Sequence, residues 1–183
     1  EAVERADVVV ICVPTPLDKS RNPDIQYIES VVQHTLPHLH PGQLLILEST
    51  SYPGTLEEAV LAPVAATGLK VGEDIFLAYS PERIDPGNHS YHLKNFPKVV
   101  GGVTPACTEL ACAFYQTALG AVPHPVSSPK VAEMSKLLEN VFRAVNVSLI
   151  NELSQLCERL GVDIWEAIHA ADTKPFGFMP FYP

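Results

Sequence analysis

The chain has 183 residues, 46% of them hydrophobic, which suits one domain or one and a half domains with a real core. Its formal net charge of -9 argues against a nucleic-acid partner, although a few local cations can still bind an anionic sugar nucleotide. No apolar run approaches the length of a membrane span, and no signal peptide opens the chain. The four cysteines form no metal-binding pattern, so we expect buried, reduced thiols in a cytoplasmic protein: Cys12, Cys107, Cys112 and Cys157.

Buried strands alternate with helices along the first part of the chain. Residues 8–13 form a continuous run rich in β-branched side chains, which predicts a parallel strand covered on both faces. Further strands are predicted at 44–47, 75–79 and 98–102, and a last short one begins at Ala121. Helices are predicted at 24–38, 54–66 and 104–119. This alternation predicts an α/β fold, with part of a doubly wound, parallel, Rossmann-like sheet.

Small polar residues follow three of the predicted strands. They are Pro14-Thr15-Pro16, Ser49-Thr50 and Ser80-Pro81-Glu82. Because doubly wound sheets bind ligands beyond the carboxyl ends of their strands, we predict a ligand site where these clusters converge. Ser, Thr and Pro are also ordinary turn residues, and any one cluster alone is better explained in that way.

A different pattern begins at Ser127. Apolar residues recur at helical spacing from Val131 to Leu160, which predicts one helix near 129–160, roughly 48 Å long. A shorter helix is predicted at about 163–171. We therefore divide the chain into the C-terminal part of a nucleotide-binding domain, 1–126, and a central helical domain, 127–183. The apolar coverage of the long helix predicts that it is shared between domains or between the subunits of a homodimer or larger homo-oligomer.

Lys136 and Asn140 lie four residues apart and share one face of the long helix. A solvated polar face is the simplest interpretation, but a lysine beside an amide can also hold an oxyanion. Glu82 at a strand end is a candidate general base or a group that orients water. Thr50 can pass a hydrogen bond between the Glu82 carboxylate and that water. Two further cations are available for a diphosphate, although each is more often a surface charge: Arg83 and Lys174.

Several motifs occur together in one order. They are Val13-Pro14-Thr15-Pro16, Glu48-Ser49-Thr50, Ser80-Pro81-Glu82-Arg83-Ile84-Asp85-Pro86-Gly87-Asn88, Lys98-Val99-Val100-Gly101-Gly102, Ser135-Lys136-Leu137 with Glu139-Asn140, and Lys174-Pro175-Phe176-Gly177-Phe178. In this order the chain resembles the UDP-glucose/GDP-mannose dehydrogenase family over essentially its whole length. The sequences of two motifs, residues 83–88 and 174–178, resemble the UDP-N-acetylglucosamine 6-dehydrogenase branch more than the UDP-glucose branch.

The resemblance implies an enzyme that uses two NAD in sequence to oxidise the C6 hydroxymethyl group of a UDP-sugar to a carboxylate. Between the two hydride transfers a cysteine holds the aldehyde as a thiohemiacetal, and the second transfer converts this adduct to a thioester on the same cysteine. The implied cofactor-binding residues are Val13, Pro14, Thr15, Pro16, Ser49 and Thr50. The implied catalytic residues are Thr50 and Glu82, which position water or move protons, and Lys136 and Asn140, which stabilise the oxyanion. The implied substrate contacts are Glu82, Arg83, Lys136, Asn140 and Lys174.

Three departures from the family pattern qualify this resemblance. The glycine-rich phosphate-binding turn is expected before residue 1, and the catalytic cysteine is expected in a glycine-rich loop just after Pro183. We therefore expect an internal fragment and give none of the four cysteines a catalytic role. Pro86 stands where the UDP-glucose branch carries a second carboxylate, four residues after the one that matches Glu82.

Alternative functions stay open at this point. A 6-phosphogluconate or hydroxyacid dehydrogenase also joins a Rossmann half to a long helix, but it lacks the Ser-Pro-Glu-Arg strand end. The alternative that is not an enzyme is an assembly module with the same fold. Within the UDP-sugar dehydrogenases, UDP-glucose and UDP-N-acetylmannosamine are alternative substrates to UDP-N-acetylglucosamine.

We predict that the 183 residues alone show no dehydrogenase activity, because the nucleophile and the phosphate-binding turn are expected outside them. The measurement is NADH absorbance after addition of NAD and a panel of UDP-sugars. NADH formation from any member of the panel would contradict the prediction.

Overall fold

The computed structural model describes residues 2–83 and 97–183. Its elements are α1 (Ala2–Arg5), β1 (Val8–Ile11), α2 (Gln26–Thr35) with a 3-10 turn (Leu36–His38), β2 (Gln43–Leu47), a π-helical segment (Leu56–Leu61) that continues as α3 (Ala62–Ala65), β3 (Ile75–Tyr79), β4 (Lys98–Gly102), α4 (Pro105–Leu119), β5 (Pro123–Pro125), α5 (Pro129–Leu160) and α6 (Ile164–Asp172). Each predicted strand and helix is present, with ends that differ from the expected ones by a few residues.

The five strands form one sheet in the order β1-β2-β3-β4-β5. Strands β1, β2 and β3 are parallel, and β5 is parallel to β4. The predicted α/β fold with a largely parallel sheet is confirmed; the exception is β4, which runs antiparallel to β3 and pairs Gly101 with Tyr79. A short buried apolar run carries no signal of strand direction, so the sequence could not reveal this. As a result β4 begins, at Lys98, beside the carboxyl ends of the first three strands.

Helices cover both faces of the sheet. In β2, Leu45 and Leu47 pack in one core with side chains of α2 and α3, such as Ile28. Leu44 and Ile46 point to the opposite face and pack with α4. All five residues of β2 are buried, as expected for a strand in a doubly wound sheet.

The segment that precedes α3 is wider than an α-helix. Ala62 donates its backbone N–H to the carbonyl of Glu57, five residues back, which is the π-helical pattern. Pro63 follows directly; it has no N–H, and in an α-helix its ring would clash with the carbonyl of Ala59. The wider turn relieves that clash, so the single α-helix expected over 54–66 is a π-helical segment followed by a short α-helix.

The chain divides into two compact units, one that ends at Lys136 and one that spans Leu137–Pro183. The division falls inside α5, and the functional domain boundary expected after residue 126 stays a prediction. In the second unit the Asp163 side chain accepts a hydrogen bond from the Trp165 N–H at 2.9 Å and caps α6. The Trp165 ring stacks on Tyr182 with centroids 5.3 Å apart. In the described ranges, no helix is long and apolar enough to cross a membrane.

The start of α5 lies directly against β4. Ser128 caps the helix by accepting a hydrogen bond from the Val131 N–H at 3.3 Å, and Pro129 occupies the first turn, where a missing N–H costs nothing. A Cβ atom added at Gly101 would lie 2.3 Å from the backbone oxygen of Ser128. Only glycine therefore permits this close approach, which fixes where α5 begins.

We predict that Gly101→Ala lowers the free energy of unfolding by about 1–3 kcal/mol, because the added methyl must displace backbone rather than a flexible side chain. Urea unfolding followed by circular dichroism measures this. Glu109→Ala, at an exposed position of α4, is the control and should change stability by less than about 0.5 kcal/mol. Equal stability of Gly101→Ala and wild type would mean that the Ser128 backbone is not in close contact with Gly101.

Candidate active site

The loops after β1 and β2 are joined at the carboxyl edge of the sheet by one buried hydroxyl. Ser49 Oγ accepts a hydrogen bond from the Val13 N–H at 2.9 Å and donates one to the Ile11 carbonyl at 3.3 Å. Thr15 lies half-buried in the first loop, and Thr50 is exposed in the second. The structure thus brings together the loops that carry the expected cofactor-binding residues, 13–16 and 49–50.

The end of β3 is tied to α5. Lys136 Nζ donates a hydrogen bond to the backbone oxygen of Glu82, and both side chains are half-buried. Arg83 Nη1 donates to the Pro97 carbonyl at 2.9 Å. Lys136 therefore does not lie on a freely solvated face, and the first unit holds Glu82, Arg83 and Lys136 near the strand ends. The continuation of this motif, Ile84 to Asn88 with Pro86, lies outside the described residues.

A buried ion pair that the sequence analysis missed lies beneath these loops. Lys98 is only 4% exposed, and its Nζ lies 3.0 Å from Glu48 Oε1 and 3.9 Å from Glu82 Oε2. The Tyr115 hydroxyl donates a hydrogen bond to Glu48 Oε1, and Lys98 Nζ lies 5.1 Å from the centre of the Tyr115 ring. Burial and the charge of Glu48 raise the pKa of Tyr115, which keeps it a hydrogen-bond donor. The sequence signal for this ion pair was the presence of a charged residue directly after β2, Glu48, and at the start of β4, Lys98.

Cys12 lies at the rim of this cluster. All four cysteines are free, but only Cys107 is fully buried, so the expectation of buried thiols is wrong for the exposed Cys12. Its Sγ lies 3.8 Å from Glu48 Oε2. Partial burial of the sulfur, and then the negative charge of Glu48, raise the pKa of Cys12. A raised pKa lowers the fraction of thiolate, which is the nucleophilic form of the side chain.

A second buried charge holds the loop after β2. Glu133 on α5 is 1% exposed, and its two oxygens accept hydrogen bonds from the Gly54 N–H at 2.5 Å and the Leu56 N–H at 3.0 Å. Burial raises the pKa of Glu133, and the two backbone hydrogen bonds oppose that effect. Gly54 has φ +109°, a conformation that favours glycine. The sequence analysis missed Glu133; its only signal is its place one turn before Lys136.

Two expected site residues belong to the second unit. Asn140 is half-buried, and its Oδ1 accepts a hydrogen bond from Arg143 Nη2 at 2.9 Å. Lys174 is exposed, with its Nζ 4.9 Å from the centre of the Phe176 ring. Their expected contacts with the substrate stay predictions.

Two family models match the chain. The NAD-binding domain of the UDP-glucose/GDP-mannose dehydrogenase family matches residues 1–119, and the central domain of the same family matches residues 130–183. The chain belongs to the UDP-glucose/GDP-mannose dehydrogenase family. The resemblance inferred from the motifs is therefore confirmed, and the loops described above are part of a domain that binds NAD in this family.

Similar proteins and structures agree with this membership. The chain is 38% identical over 182 residues to the UDP-N-acetyl-D-glucosamine 6-dehydrogenase of Pseudomonas aeruginosa, covering 99% of this chain and 43% of that protein. It is 40% identical over 177 residues to the UDP-N-acetyl-D-mannosamine dehydrogenase of Escherichia coli K12, covering 93% and 42%. The structure of a UDP-D-ManNAc dehydrogenase from Pyrococcus horikoshii matches with a TM-score of 0.87 and 36% identity, over 95% of this chain and 41% of that one. The chain spans less than half the length of these relatives.

We predict that Glu48→Gln makes Cys12 react severalfold faster with iodoacetamide at about pH 8. The charge of Glu48 raises the pKa of Cys12, so its removal lowers that pKa and increases the thiolate fraction. Mass spectrometry of the Cys12 peptide over time gives the rate.

Glu57→Gln is the matched control for this measurement, because Glu57 pairs with Lys130 at 2.6 Å and does not contact Cys12 in the described structure. Its Cys12 rate should equal that of wild type. A Cys12 rate in Glu48→Gln no faster than in wild type would show that Glu48 does not suppress the thiolate.

Proposed function

We propose that the protein to which this chain belongs is an NAD-dependent UDP-sugar 6-dehydrogenase. Such an enzyme oxidises the sugar CH2OH group to a carboxylate: with one water consumed, two hydrides and three protons leave the substrate. The observation that supports this most directly is the contact of Lys136 with Glu82 at the strand ends of a chain of this family. NAD would supply the hydride acceptor, with two NAD bound in turn and one hydride taken by each.

The residues at the strand ends fit the nicotinamide half of NAD. Small side chains and hydroxyls line the two joined loops, with Thr15 half-buried and Thr50 exposed, so a flat ring can approach the backbone. The nearby carboxylates of Glu48 and Glu82 lie within 3.9 Å of the Lys98 ammonium, which offsets their charge. We assign Val13, Pro14, Thr15 and Pro16 to the NAD site, with Ser49 and Thr50 close to its nicotinamide end.

In the proposed reaction Lys136 donates a hydrogen bond to the oxygen that gains negative charge, and Asn140 donates a second through its amide. Thr50 orients the water by a hydrogen bond, and the Glu82 carboxylate accepts the proton of the water. Arg83 and Lys174 bind the diphosphate of the substrate, since guanidinium and ammonium groups are the usual partners of phosphate. A lysine donor of this kind contributes most where charge develops, in the transition state.

We assign a UDP-N-acetylhexosamine as substrate, with UDP-N-acetylglucosamine ahead of UDP-N-acetylmannosamine and UDP-glucose. The Arg-Ile-Asp-Pro-Gly-Asn and Lys-Pro-Phe-Gly-Phe motifs support UDP-N-acetylglucosamine. Relatives of similar sequence identity are named as UDP-N-acetyl-D-glucosamine and UDP-N-acetyl-D-mannosamine dehydrogenases. Product profiling of the complete protein with all three UDP-sugars decides between them. Oxidation of none of the three would contradict the proposed function.

The same proposal includes a homodimer or larger homo-oligomer in the cytoplasm that supplies uronic acids for polysaccharides. Its support is the row of apolar side chains that α5 exposes, since exposed apolar surface of that extent usually marks an interface. The exposed members are Val131, Met134, Leu138, Val141, Phe142, Val145, Leu149, Leu153, Leu156 and Leu160. Four free cysteines suit a reducing compartment.

We predict that Lys136→Ala in the complete enzyme lowers kcat by about a hundredfold to a thousandfold, with a much smaller change in the Kd for NAD. The reason is that the ammonium stabilises an oxyanion that exists only during turnover. Asn140→Ala should act in the same direction but more mildly, because the amide carries no charge. The two effects should not add, since both residues serve one oxygen. Steady-state kinetics, with folding checked by thermal melting, measure both.

Lys130→Ala is the matched control, since Lys130 lies on the same helix, is exposed and pairs with Glu57 at 2.6 Å. It should retain wild-type turnover, as expected for loss of a surface ion pair. Wild-type turnover in Lys136→Ala itself would remove this lysine from the active site.

A further inference from the structure

The loop between β2 and the π-helical segment is held at its first residues by Glu48 and Ser49, and at its far end by the carboxylate of Glu133. Glu133 is separated from Gly54 and Leu56 by 79 and 77 residues in the chain, yet it accepts both of their backbone N–H groups. Buried N–H groups must be paired, and removal of their acceptor costs the full desolvation of each donor. The far end of this loop therefore depends on where α5 places Glu133, while Ser49 is held separately by Val13 and Ile11.

The loop itself is stiffened by local hydrogen bonds. Thr55 Oγ1 donates to the Tyr52 carbonyl at 2.7 Å and accepts from the Tyr52 N–H at 3.1 Å. Gly54 supplies the positive φ that the turn requires. Residues 52–56 thus form one hydrogen-bonded turn, and Thr50 lies in the short segment between this turn and the anchored Ser49.

Glu133 and Lys136 lie three residues apart on α5, so they project from the same face of the helix. Glu133 binds the loop after β2, and Lys136 binds the Glu82 carbonyl after β3. One helix face therefore holds two neighbouring strand ends. These are the two strand ends that carry Thr50 and Glu82.

We infer that Glu133 is a positioning residue of the proposed active site, one that sets the place of Thr50 relative to Lys136 and Glu82 without touching the substrate. This inference rests on the proposed function, because Thr50, Glu82 and Lys136 take their roles from it. Small misplacements of reacting groups cost rate more than affinity, so the effect of Glu133 falls on kcat.

The test compares Glu133→Gln, Glu133→Ala and the control Glu57→Gln in the complete protein. Glutamine keeps the size of the side chain but offers one acceptor, and its NH2 group opposes the second N–H donor. We expect kcat to fall by about tenfold to a hundredfold in Glu133→Gln, with Kd for NAD within about twofold of wild type. Glu133→Ala should lose at least as much, and Glu57→Gln should match wild type.

Hydrogen exchange gives a second measurement that does not depend on catalysis. Exchange of the Gly54 and Leu56 amides should accelerate by about tenfold in Glu133→Ala, since both lose their acceptor, while amides of β3 stay protected. Unchanged exchange at both amides would overturn the inference whatever the enzyme's activity. Wild-type kcat in a folded Glu133→Gln would overturn it as well. Failure of the wild-type protein to oxidise any UDP-sugar would contradict the proposed function, and the exchange result would then decide whether Glu133 holds the loop.

Discussion

A lysine ammonium enclosed among carboxylates is the interaction on which the candidate site depends. Lys98 reaches Glu48 and Glu82 from the first position of β4, and only the antiparallel direction of that strand brings it to the carboxyl edge of the sheet. A buried ion pair usually contributes little net stability, and removal of one partner costs several kcal/mol. Its consequence here is geometric: β2, β4 and the loop after β3 must meet at one point for the charges to be compensated.

The start of α5 is held by constraints of a different kind. Gly101 leaves room for the Ser128 backbone, and this close contact fixes the first turn of the helix. Glu133 and Lys136 then bind backbone groups of two separate loops. Side chains that bind backbone constrain the course of the chain itself. The loop after β2 can therefore be held in place while Thr50 itself stays exposed.

The sequence was sufficient for the parts of the fold that local pattern controls. The run from Val8 predicted β1, and the helix predicted over 104–119 is α4, Pro105–Leu119. The same logic failed for β4, because strand direction depends on pairing and not on composition. It also missed the pair of Glu48 and Lys98, which are far apart in the chain, and the carboxylate of Glu133, which resembles any other acidic residue of an amphipathic helix. The sequence pattern placed Thr50 and Glu82 after predicted strands and Lys136 on the long helix, but it could not show what holds these residues in position.

These missed residues share one physical feature, which is the burial of charge next to groups proposed to act on substrate. Hydrophobic residues could fill the same space at a similar or lower cost in stability. They would not, however, fix the distance between a carboxylate and two N–H groups to a few tenths of an ångström, whereas directed hydrogen bonds do. Buried charge is therefore best understood here as a means of positioning. On this view Lys98 and Glu133 fix the positions of the strand ends, which an apolar core residue cannot do. Lys136 combines positioning with the proposed catalytic role, because its ammonium binds the Glu82 backbone and stands next to the proposed reaction centre.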